Sequence, residues 1–365
     1  MHGDYRWFRQ DELVRRCVLT NSFFATMTAG FEAVLEEVRD GVDPGDYSYV
    51  KEGVDEVNKR VNMDLVLFVA QVKRSVYGKA GFEVVLGDDG APDWLLSLQS
   101  PRLKPNLDRE WRLTGFRYEG RDGFYSSDEV LYFPNLSLEA DLEGLSDVEP
   151  VRDVCLARHE LLRENFPEIV RTLWAPYIIL KADTSGLSEE EASRAIEELA
   201  SVARAGKSIA VNESVDPTVV SATPDIRGLC ELLDRLDQAI IGNFGTPRFL
   251  LGRPIENRAT AYAELEAYVG VPIAHIQRFF KRELERQWYD RWTLKILEDE
   301  DEKVLEGEQP PVRVKHRWNP VRVADVYEMA KAVAFLYGRG DGPIAQRLEK
   351  AWELMGWDPA ELEEE

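Results

Sequence analysis

The segment IGNFGTPRFLLGRPIENRATAYAE, residues 241–264, separates the two strongest helical patterns in the sequence. Glycine and proline recur through residues 242–259, so this stretch cannot form a regular helix and we expect a loop. The apolar residues before it are spaced by three and four positions, which predicts an amphipathic helix with an apolar seam. The members of that seam are Ile226, Leu229, Leu233, Leu236 and Ile240.

The longest helical pattern follows this loop, over about Asn257–Trp292, where apolar residues recur every three or four positions. Gly270 and Pro272 interrupt the pattern, and together they predict a kink near its middle. The sequence therefore predicts a helix, a loop rich in glycine and proline, and a long kinked helix in succession.

Upstream of the seam helix, helical and strand patterns alternate. We expect helices over residues 11–39 and about 54–76, and another helix that begins near Asp147 behind a Ser146 cap. Residues 80–135 have the alternation and the turn residues of a small antiparallel sheet that starts with a hairpin. The predicted fold class is therefore α+β and mainly helical, with a β insert.

A compact α/β unit precedes the seam helix. Tyr177–Leu180 is a predicted strand, and Ser188–Glu191 is a capping box that opens a helix. Ser208–Val211 is a second predicted strand. Towards the C-terminus we expect a strand over residues 312–318 and helices over residues 321–337 and 343–356.

The composition excludes several classes of protein. The chain has 365 residues, 67 acidic and 45 basic side chains, a formal charge of −22 and 44% hydrophobic residues. This apolar fraction is too high for a disordered chain, and no apolar run approaches the roughly 18 residues of a membrane helix. We expect a soluble globular protein of two or three domains that does not associate with membranes. The three dispersed cysteines, and a start without a signal-peptide pattern, favour the cytoplasm.

The acidic excess argues against an ordinary nucleic-acid binder, because such proteins gain affinity from lysine and arginine at phosphates. It is compatible with transient contact, since repulsion lets a polyanion slide past without stalling. The alternative is that the charge serves only solubility.

The sequence contains no motif with a recognisable catalytic or ligand-binding mechanism. Ala205–Ser208 (AGKS) ends like a phosphate-binding loop, but it lacks the earlier glycine and connects a helix to a strand, the reverse of the required order. The four histidines are dispersed, and carboxylates are too abundant for any pair of them to be informative. We therefore expect no enzyme activity, no metal and no cofactor.

Three sequence motifs, together with the order of the predicted helices and strands, resemble the portal protein of tailed viruses. In that family a glycine-proline turn and a Leu-Leu-Gly precede the long helix, as they do here. The resemblance covers about residues 60–295; the chain departs from the family at Pro167, which interrupts a usually continuous helix, and in its short length. The motifs are VYGKAGFEVVLGDDG at Val76–Gly90, VLYFPNLS at Val130–Ser137 followed by the helix start at Gly144–Ser146, and residues 241–264.

The resemblance implies a ring of about twelve copies at one capsid vertex, a conduit for double-stranded DNA in packaging and ejection. The implied partners are the terminase large subunit, head-completion or adaptor proteins, the major capsid and scaffold proteins and, transiently, double-stranded DNA. The implied location is the virion, after assembly in the host cytoplasm. The implied parts are an N-terminal wing part with the β insert (1–146), a first stem helix (147–173), an α/β clip (174–222), a second stem helix (223–244), a tunnel loop with the long helix and wing return (245–320), and a helical crown with an acidic tail (321–365).

The same resemblance suggests roles for individual residues. For the apolar seam of the second stem helix, packing within one chain is the alternative to contact with a neighbouring copy. The arginines of the tunnel loop either contact phosphates or pair with nearby glutamates. The tunnel loop and DNA channel comprise Arg248, Arg253, Glu256, Arg258, Glu231, Asp234 and Asp237. The clip interface for partners comprises Glu189, Glu190, Arg194, Arg204 and Lys207, and the ring seam comprises Ile226, Leu229, Leu233 and Leu236.

Two other functions remain open on the sequence alone. One is a different viral head component, such as a connector or a minor capsid protein. The other is a soluble enzyme with an unrecognised carboxylate site, which a deep pocket with clustered, perturbed carboxyls would favour.

Overall fold

The computed structural model describes the chain in segments and divides it into two compact units. One unit comprises Met1–Arg152 with Ala239–Glu365, and the other comprises Asp153–Gln238. The described segments are residues 3–28, 30–39, 42–110, 112–120, 123–137, 142–167, 226–252, 258–300 and 310–321, together with 177–182, 188, 190–191, 193–194, 197 and 215–220.

The first unit begins with helices α1 (Gly3–Gln10) and α2 (Glu12–Thr26), followed by strand β1 (Phe31–Glu37). Asp11 caps α2, because its carboxylate accepts hydrogen bonds from two backbone N–H groups of the first turn. The helix predicted over residues 11–39 is therefore correct up to Thr26 and wrong beyond it.

Strand β1 owes its conformation to a distant partner. It pairs antiparallel with β10 (Val312–Trp318), with Phe31 opposite Trp318 and Glu37 opposite Val312. Gly30, with φ of 65°, turns the chain into the strand. A spacing of three and four among the apolar residues of β1 suits a helix equally well, so local periodicity alone misassigns it. The strand predicted over residues 312–318 is confirmed.

Helices α3 (Ser48–Arg60) and α4 (Met63–Tyr77) replace the single helix expected over about residues 54–76. Asn62 separates them, since it adopts the left-handed conformation with φ of 53° and its side chain accepts a hydrogen bond from the first turn of α4. Gly78, with φ of 79°, ends α4.

Two three-stranded antiparallel sheets follow α4, where the sequence predicted one. The predicted hairpin is confirmed as β2–β3, in which Phe82 pairs with Ser97 and Val85 with Trp94. The first sheet has the order β3–β2–β7, from β2 (Lys79–Leu86), β3 (Pro92–Ser97) and β7 (Val130–Pro134). The second has the order β4–β5–β6, from β4 (Leu103–Leu107), β5 (Leu113–Tyr118) and β6 (Phe124–Ser126).

The C-terminal part of the first unit is dominated by one helical run with two wide turns. Its first π-turn, Val269–Ile273, contains Gly270 and Pro272 and lies where the sequence predicts a kink. Proline has no N–H to donate, and the wider turn accommodates that loss. The run consists of α7 (Arg258–Tyr268), α8 (Ala274–Leu284) and α9 (Asp290–Asp299), with a second π-turn at Glu285–Tyr289.

The main core of the first unit lies where α3, α4, α8 and α9 pack on the strands. The rings of Phe133 and Phe280 meet edge to face with centroids 5.2 Å apart. Burial of such side chains is the main favourable term in folding, at about 25 cal/mol per Å² of apolar surface. The largest buried side chains of this core include Phe82, Phe133, Phe280, Trp288 and Tyr289.

The second unit contains most of α5 (Arg152–Glu160) and its π-turn, Leu161–Asn165. The predicted strand at Tyr177–Leu180 is confirmed as β8 (Tyr177–Ala182), which pairs antiparallel with β9 (Val215–Val220). The second strand expected at residues 208–211 lies outside the described residues, as do the two predicted C-terminal helices beyond Val321.

The predicted capping box in the second unit is confirmed. The Glu191 carboxylate accepts hydrogen bonds from the Ser188 N–H at 3.0 Å and the Ser188 hydroxyl at 2.7 Å. The seam helix is also confirmed, as α6 (Ile226–Phe244), whose residues up to Gln238 belong to this unit.

Candidate channel and assembly surfaces

An ion pair joins the two predicted stem helices, α5 and α6. Arg158 Nε donates to Asp237 Oδ1 at 2.7 Å, and the two side chains are only 19% and 12% exposed. Loss of either partner would leave a charge in a poorly solvated place. The sequence assigns Asp237 to the DNA channel, but the structure buries its carboxylate against Arg158 within the subunit.

The other two predicted channel carboxylates of α6, Glu231 and Asp234, are exposed. Glu231 accepts a hydrogen bond from Arg227 Nε at 3.1 Å, and both side chains of this pair lie largely in solvent. A pair of this kind contributes little to stability, so it leaves the acidic face available. A role for Glu231 and Asp234 in the channel stays a prediction.

The second unit leaves apolar side chains exposed on both predicted stem helices. Leu229, Leu233 and Leu236 are half-buried, and the side chain of Ile226 lies outside the described residues. The side chains that are more exposed, at 37% to 47%, are Leu156, Leu162, Phe166 and Leu232. Both the seam and the alternative of packing within one chain therefore remain open.

The predicted tunnel loop is described at its two ends. Arg248 is exposed and begins a short 3₁₀ turn that Gly252, with φ of 81°, terminates. Arg258 is the first residue of α7, and its side chain is not among those described. Arg253 and Glu256 lie outside the described residues, so the choice between phosphate contacts and internal pairs is untested.

One buried asparagine, which sequence reasoning did not identify, anchors the start of this loop. Asn21 of α2 donates from Nδ2 to the carbonyl oxygen of Phe244, the last residue of α6, at 2.9 Å. Its Oδ1 accepts hydrogen bonds from the Thr246 hydroxyl at 2.8 Å and the Tyr268 hydroxyl at 2.7 Å. Nothing in the residues around Asn21 signals this role, because its partners lie more than two hundred residues away.

An apolar cluster also fixes the start of this loop. Phe249 and Leu251 are buried, and Phe249 packs with Leu265 and Tyr268 of α7. Burial raises the pKa of the Tyr268 hydroxyl well above its usual range, so Tyr268 is a permanent donor to Asn21. Both ends of the 3₁₀ turn are thus fixed to α2 and α7.

The family-like motifs meet at a joint near the start of α5. The carbonyl oxygen of Gly78 accepts a hydrogen bond from the Asn135 N–H at 2.6 Å. A Cβ on Gly144 would lie 1.8 Å from that same oxygen, so only glycine fits there. The Ser146 hydroxyl donates to the carbonyl oxygen of Val76 at 2.9 Å. These contacts bring residues of Val76–Gly90, Val130–Ser137 and Gly144–Ser146 together in space.

Asp147 connects this joint to both stem helices. Its carboxylate accepts a hydrogen bond from Asn135 Nδ2 at 2.7 Å, and its carbonyl oxygen accepts one from Asn243 Nδ2 of α6 at 2.8 Å. Burial raises the pKa of Asp147, and hydrogen bonds from Ser75 and Asn135 and the charge of Arg74 oppose that rise. The segment leading into α5 and the end of α6 are therefore tied to one residue.

A buried arginine completes the joint. Arg74 of α4 donates from Nε to the carbonyl oxygen of Pro134 at 3.1 Å and stacks over the Phe279 ring at 3.8 Å. Burial lowers its pKa to about 10, against the attraction of Asp147 and Glu283, so the guanidinium stays charged at neutral pH. Sequence reasoning missed this residue because no local pattern distinguishes it from other arginines of amphipathic helices.

The predicted clip interface is described only in part. Glu190 and Arg194 lie in the helix that follows Ser188, and both are exposed. Glu189, Arg204 and Lys207 lie outside the described residues.

The described residues form no group of three or more histidine, cysteine, aspartate or glutamate side chains that could hold a metal ion. Within the same part of the chain, no helix has the length and apolarity needed to cross a membrane.

Comparison with known proteins identifies the fold. No protein-family model and no curated protein matches the sequence. A chain in the neck of an empty GTA particle, computed with C6 symmetry, matches with a TM-score of 0.60 at 16% identity, over 98% of this chain and 95% of that one. A chain in the neck of the native GTA particle, computed with C12 symmetry, matches with a TM-score of 0.58 at 16% identity, over 98% and 94%.

A crystal structure of an HK97 family phage portal protein from Corynebacterium diphtheriae also aligns, with a TM-score of 0.47 at 13% identity, over 87% of this chain and 94% of that one. The chain thus shares the fold of the GTA neck chains over nearly its whole length. The predicted fold class, α+β and mainly helical, is confirmed.

Proposed function

We propose that this chain is the subunit of a portal ring at one vertex of a tailed-virus-type particle, where it forms a conduit for double-stranded DNA. The observation that carries the proposal is the match to GTA neck chains, which extends over 98% of this chain and 95% of the matched one. A likeness of this extent includes both units and the loop between α6 and α7. The sequence motifs that resemble portal proteins point the same way.

The described contacts support a role in which stiff helices frame a passage. The Arg158–Asp237 pair joins the stem helices within the second unit, and Asp147 and Asn21 hold the segment before α5 and the end of α6 within the first. Glu231 and Asp234 leave exposed carboxylates on α6, which suits a wall that DNA passes without adhering. In this proposal the subunit performs no chemistry.

The finer parts of the proposal concern copies and partners. About twelve copies form the ring, in keeping with the C12 symmetry of one matched neck. The clip residues Glu190 and Arg194 belong to the surface on which the terminase large subunit and then the head-completion or adaptor proteins dock. The major capsid and scaffold proteins surround the ring in the virion, which assembles in the host cytoplasm.

Imaging of the purified chain tests the proposal. Negative-stain or cryogenic electron microscopy, with native mass spectrometry on the same sample, should show closed rings with a central channel. A strict monomer across protein concentration and salt would contradict the proposal.

A second candidate is another component of the neck, such as a connector, because the matched particles are described by their necks and virion. Binding to the terminase large subunit separates the two functions. A portal ring should bind it, and the charge reversals Glu190→Lys with Arg194→Glu should weaken that binding with the ring intact. A ring that binds only tail components would favour the connector.

A further inference from the structure

Two exposed surfaces of the first unit lie on elements that belong to, or pack against, the sheet β3–β2–β7. At one edge is β3, whose outer side pairs with no described strand. At the other edge Gln287 covers β7, because its side-chain amide accepts from the Tyr132 N–H at 2.9 Å and donates to the Tyr132 carbonyl oxygen at 2.8 Å.

The surface at the β3 edge is the hairpin tip, which we define as residues 86–94. Trp94 is 53% exposed and Leu86 is 49% exposed. Asp88 and Asp93 are exposed beside them. A large aromatic side chain with a charged rim is the composition of an interface anchor, since tryptophan is enriched among residues that dominate binding.

The hairpin tip is held in place by the rest of the unit. Arg60 Nη1 of α3 donates to Asp89 Oδ2 at 2.8 Å, and Lys295 Nζ of α9 donates to the carbonyl oxygen of Gly90. Within the turn, the Gly87 N–H donates to the carbonyl oxygen of Ala91 at 2.8 Å. A surface fixed in this way loses little conformational entropy when a partner binds.

The second surface is basic and lies on the helical run that contains Gln287. It consists of His275, Arg278, Arg282 and Arg286, which lie three or four positions apart on α8 and the following π-turn and are all exposed. We call it the arginine stripe. Glu283 accepts from Arg282 at 3.3 Å and from Arg286 at 2.5 Å, yet these two arginine side chains remain 73% and 66% exposed. Arg278 has no ion pair with any described residue.

We propose that the hairpin tip of one copy docks on the arginine stripe of its neighbour. The proposal rests on the proposed function, because it assumes a ring. A ring closes through head-to-tail contacts, which require two different and complementary surfaces on the same subunit. Asp88 and Asp93 would pair with Arg278 and Arg282, and the Trp94 ring would lie against a guanidinium.

A second copy fits the stripe better than nucleic acid does. The net charge of −22 opposes the approach of nucleic acid and of another copy alike, so it does not separate the two. A neighbouring copy is favoured because its hairpin tip supplies both the carboxylates and the exposed tryptophan that complement the stripe.

Charge exchange tests this contact. The double variants Arg278→Asp with Arg282→Asp, and Asp88→Arg with Asp93→Arg, should each raise the protein concentration required for half-maximal ring assembly by roughly tenfold or more. The quadruple variant, which exchanges the two charges, should recover most of the assembly. Trp94→Ala should also weaken assembly without any change of charge.

Arg112→Asp is the control, because this arginine is 77% exposed on the loop between β4 and β5 and its substitution changes the charge as much as each single substitution in the stripe does. It should assemble as the wild type does. Circular dichroism and thermal unfolding check that each variant is folded.

The outcomes distinguish this contact from the proposed function. If the wild type forms rings and the double variants assemble equally well, the contact is wrong and the ring stands. If the wild type never forms rings, both fail. If the arginine variant loses binding to short double-stranded DNA, and the exchange variant does not recover assembly, the stripe binds nucleic acid and the contact is again wrong.

Discussion

Individual buried polar side chains hold together elements that are far apart in the sequence. Asn21 satisfies three buried groups at once, at the end of α6, in the loop and on α7. Each of those groups would otherwise lose a hydrogen bond away from water, where an unsatisfied polar group costs roughly 1–3 kcal/mol. The position of the loop therefore depends on one side chain.

Asn21→Ala should lower the free energy of unfolding by about 2–4 kcal/mol, because it leaves several buried polar groups without partners. Urea unfolding followed by circular dichroism measures the loss. Asn106→Ala is the control, since Asn106 makes its hydrogen bonds with Thr114 at the surface and its loss should cost well under half as much. Equal losses would contradict an anchoring role for Asn21.

His316 gives the fold a defined response to acid. It is fully buried, its Nδ1 lies 3.0 Å from the Tyr289 hydroxyl, and burial, with a smaller effect of Lys281, lowers its pKa from 6.5 to about 3. Below pH 6.5 this histidine binds a proton in the unfolded chain but, until the pH approaches 3, not in the folded chain. The stability that depends on neutral His316 is therefore complete above pH 6.5 and is lost as the pH falls towards 3.

The free energy of unfolding of the wild type should fall by about 1.4 kcal/mol per pH unit below pH 6.5 through this group alone. His316→Phe should have a shallower acid slope by about that amount, even if the variant is less stable at pH 7.5 through the lost Tyr289 contact. Urea titrations between pH 7.5 and 5 measure the slope.

At the scale of elements, close backbone approach fixes how the segments join. Gly78 and Gly144 approach so closely that a side chain on either would meet backbone atoms rather than a flexible side chain. The contact holds the end of α4 against the segment that leads into α5. A change there must shift two elements, which makes it costlier than most surface substitutions.

Gly144→Ala should lower the free energy of unfolding by about 2 kcal/mol or more, because the added methyl group would overlap the Gly78 carbonyl oxygen. Differential scanning calorimetry measures the effect. Gly123→Ala is the control, since nothing lies within 4 Å of the Cβ that it would add. If the Gly144→Ala protein were as stable as the control, the backbone at this joint would be able to move aside for a side chain.

The exposed face of α6 is tested at the same scale. Leu232→Asp, at a side chain 47% exposed, should hinder ring assembly and leave the melting temperature of the subunit unchanged. Leu233→Asp, at a half-buried position, should also weaken ring closure more than it lowers stability if the seam faces a neighbour. Equal loss of helicity and assembly in Leu233→Asp would assign that leucine to packing within the chain.

For the whole molecule, the net charge and the charges at the proposed contact have opposite effects on assembly. Each copy carries −22, so copies repel at long range, whereas the proposed contact between the hairpin tip and the arginine stripe attracts at short range. Salt at about 0.1 M reduces the reach of exposed charges to about 10 Å, and 1 M salt reduces it to about 3 Å. Salt at about 0.1 M therefore removes most of the long-range repulsion between copies, whereas 1 M salt also weakens the proposed contact.

Ring assembly should therefore pass through a maximum at moderate salt. Analytical ultracentrifugation from about 0.02 M to 1 M sodium chloride should show weaker assembly at both ends of the range. The arginine-stripe double variant should lack the loss at high salt. Assembly that rises steadily to 1 M in the wild type would show that apolar contact, and not charge, holds the ring.

Particular elements show how far sequence reasoning reaches. The hairpin β2–β3, the seam helix α6, the interruption at Pro272 and the capping box at Ser188 each follow from residues close together in the chain, and each is confirmed. Strand β1 was misassigned because its partner β10 lies at the far end of the sequence. Among the candidate site residues, Glu231 and Asp234 are exposed as expected for an acidic face, whereas Asp237 is paired with Arg158.

The sequence by itself determined the fold class, the order of the main helices and strands, and the acidic character of the chain, because these depend on composition, local periodicity and turn chemistry. Only the tertiary structure decided which polar residues anchor the loop and the stem, since Asn21, Arg74 and Asp147 act on partners that are remote in the chain. It also decided that Trp94 and the arginines of α8 are exposed. The physical reason is that burial and hydrogen bonding depend on neighbours in space, and a one-dimensional pattern records neighbours only along the chain.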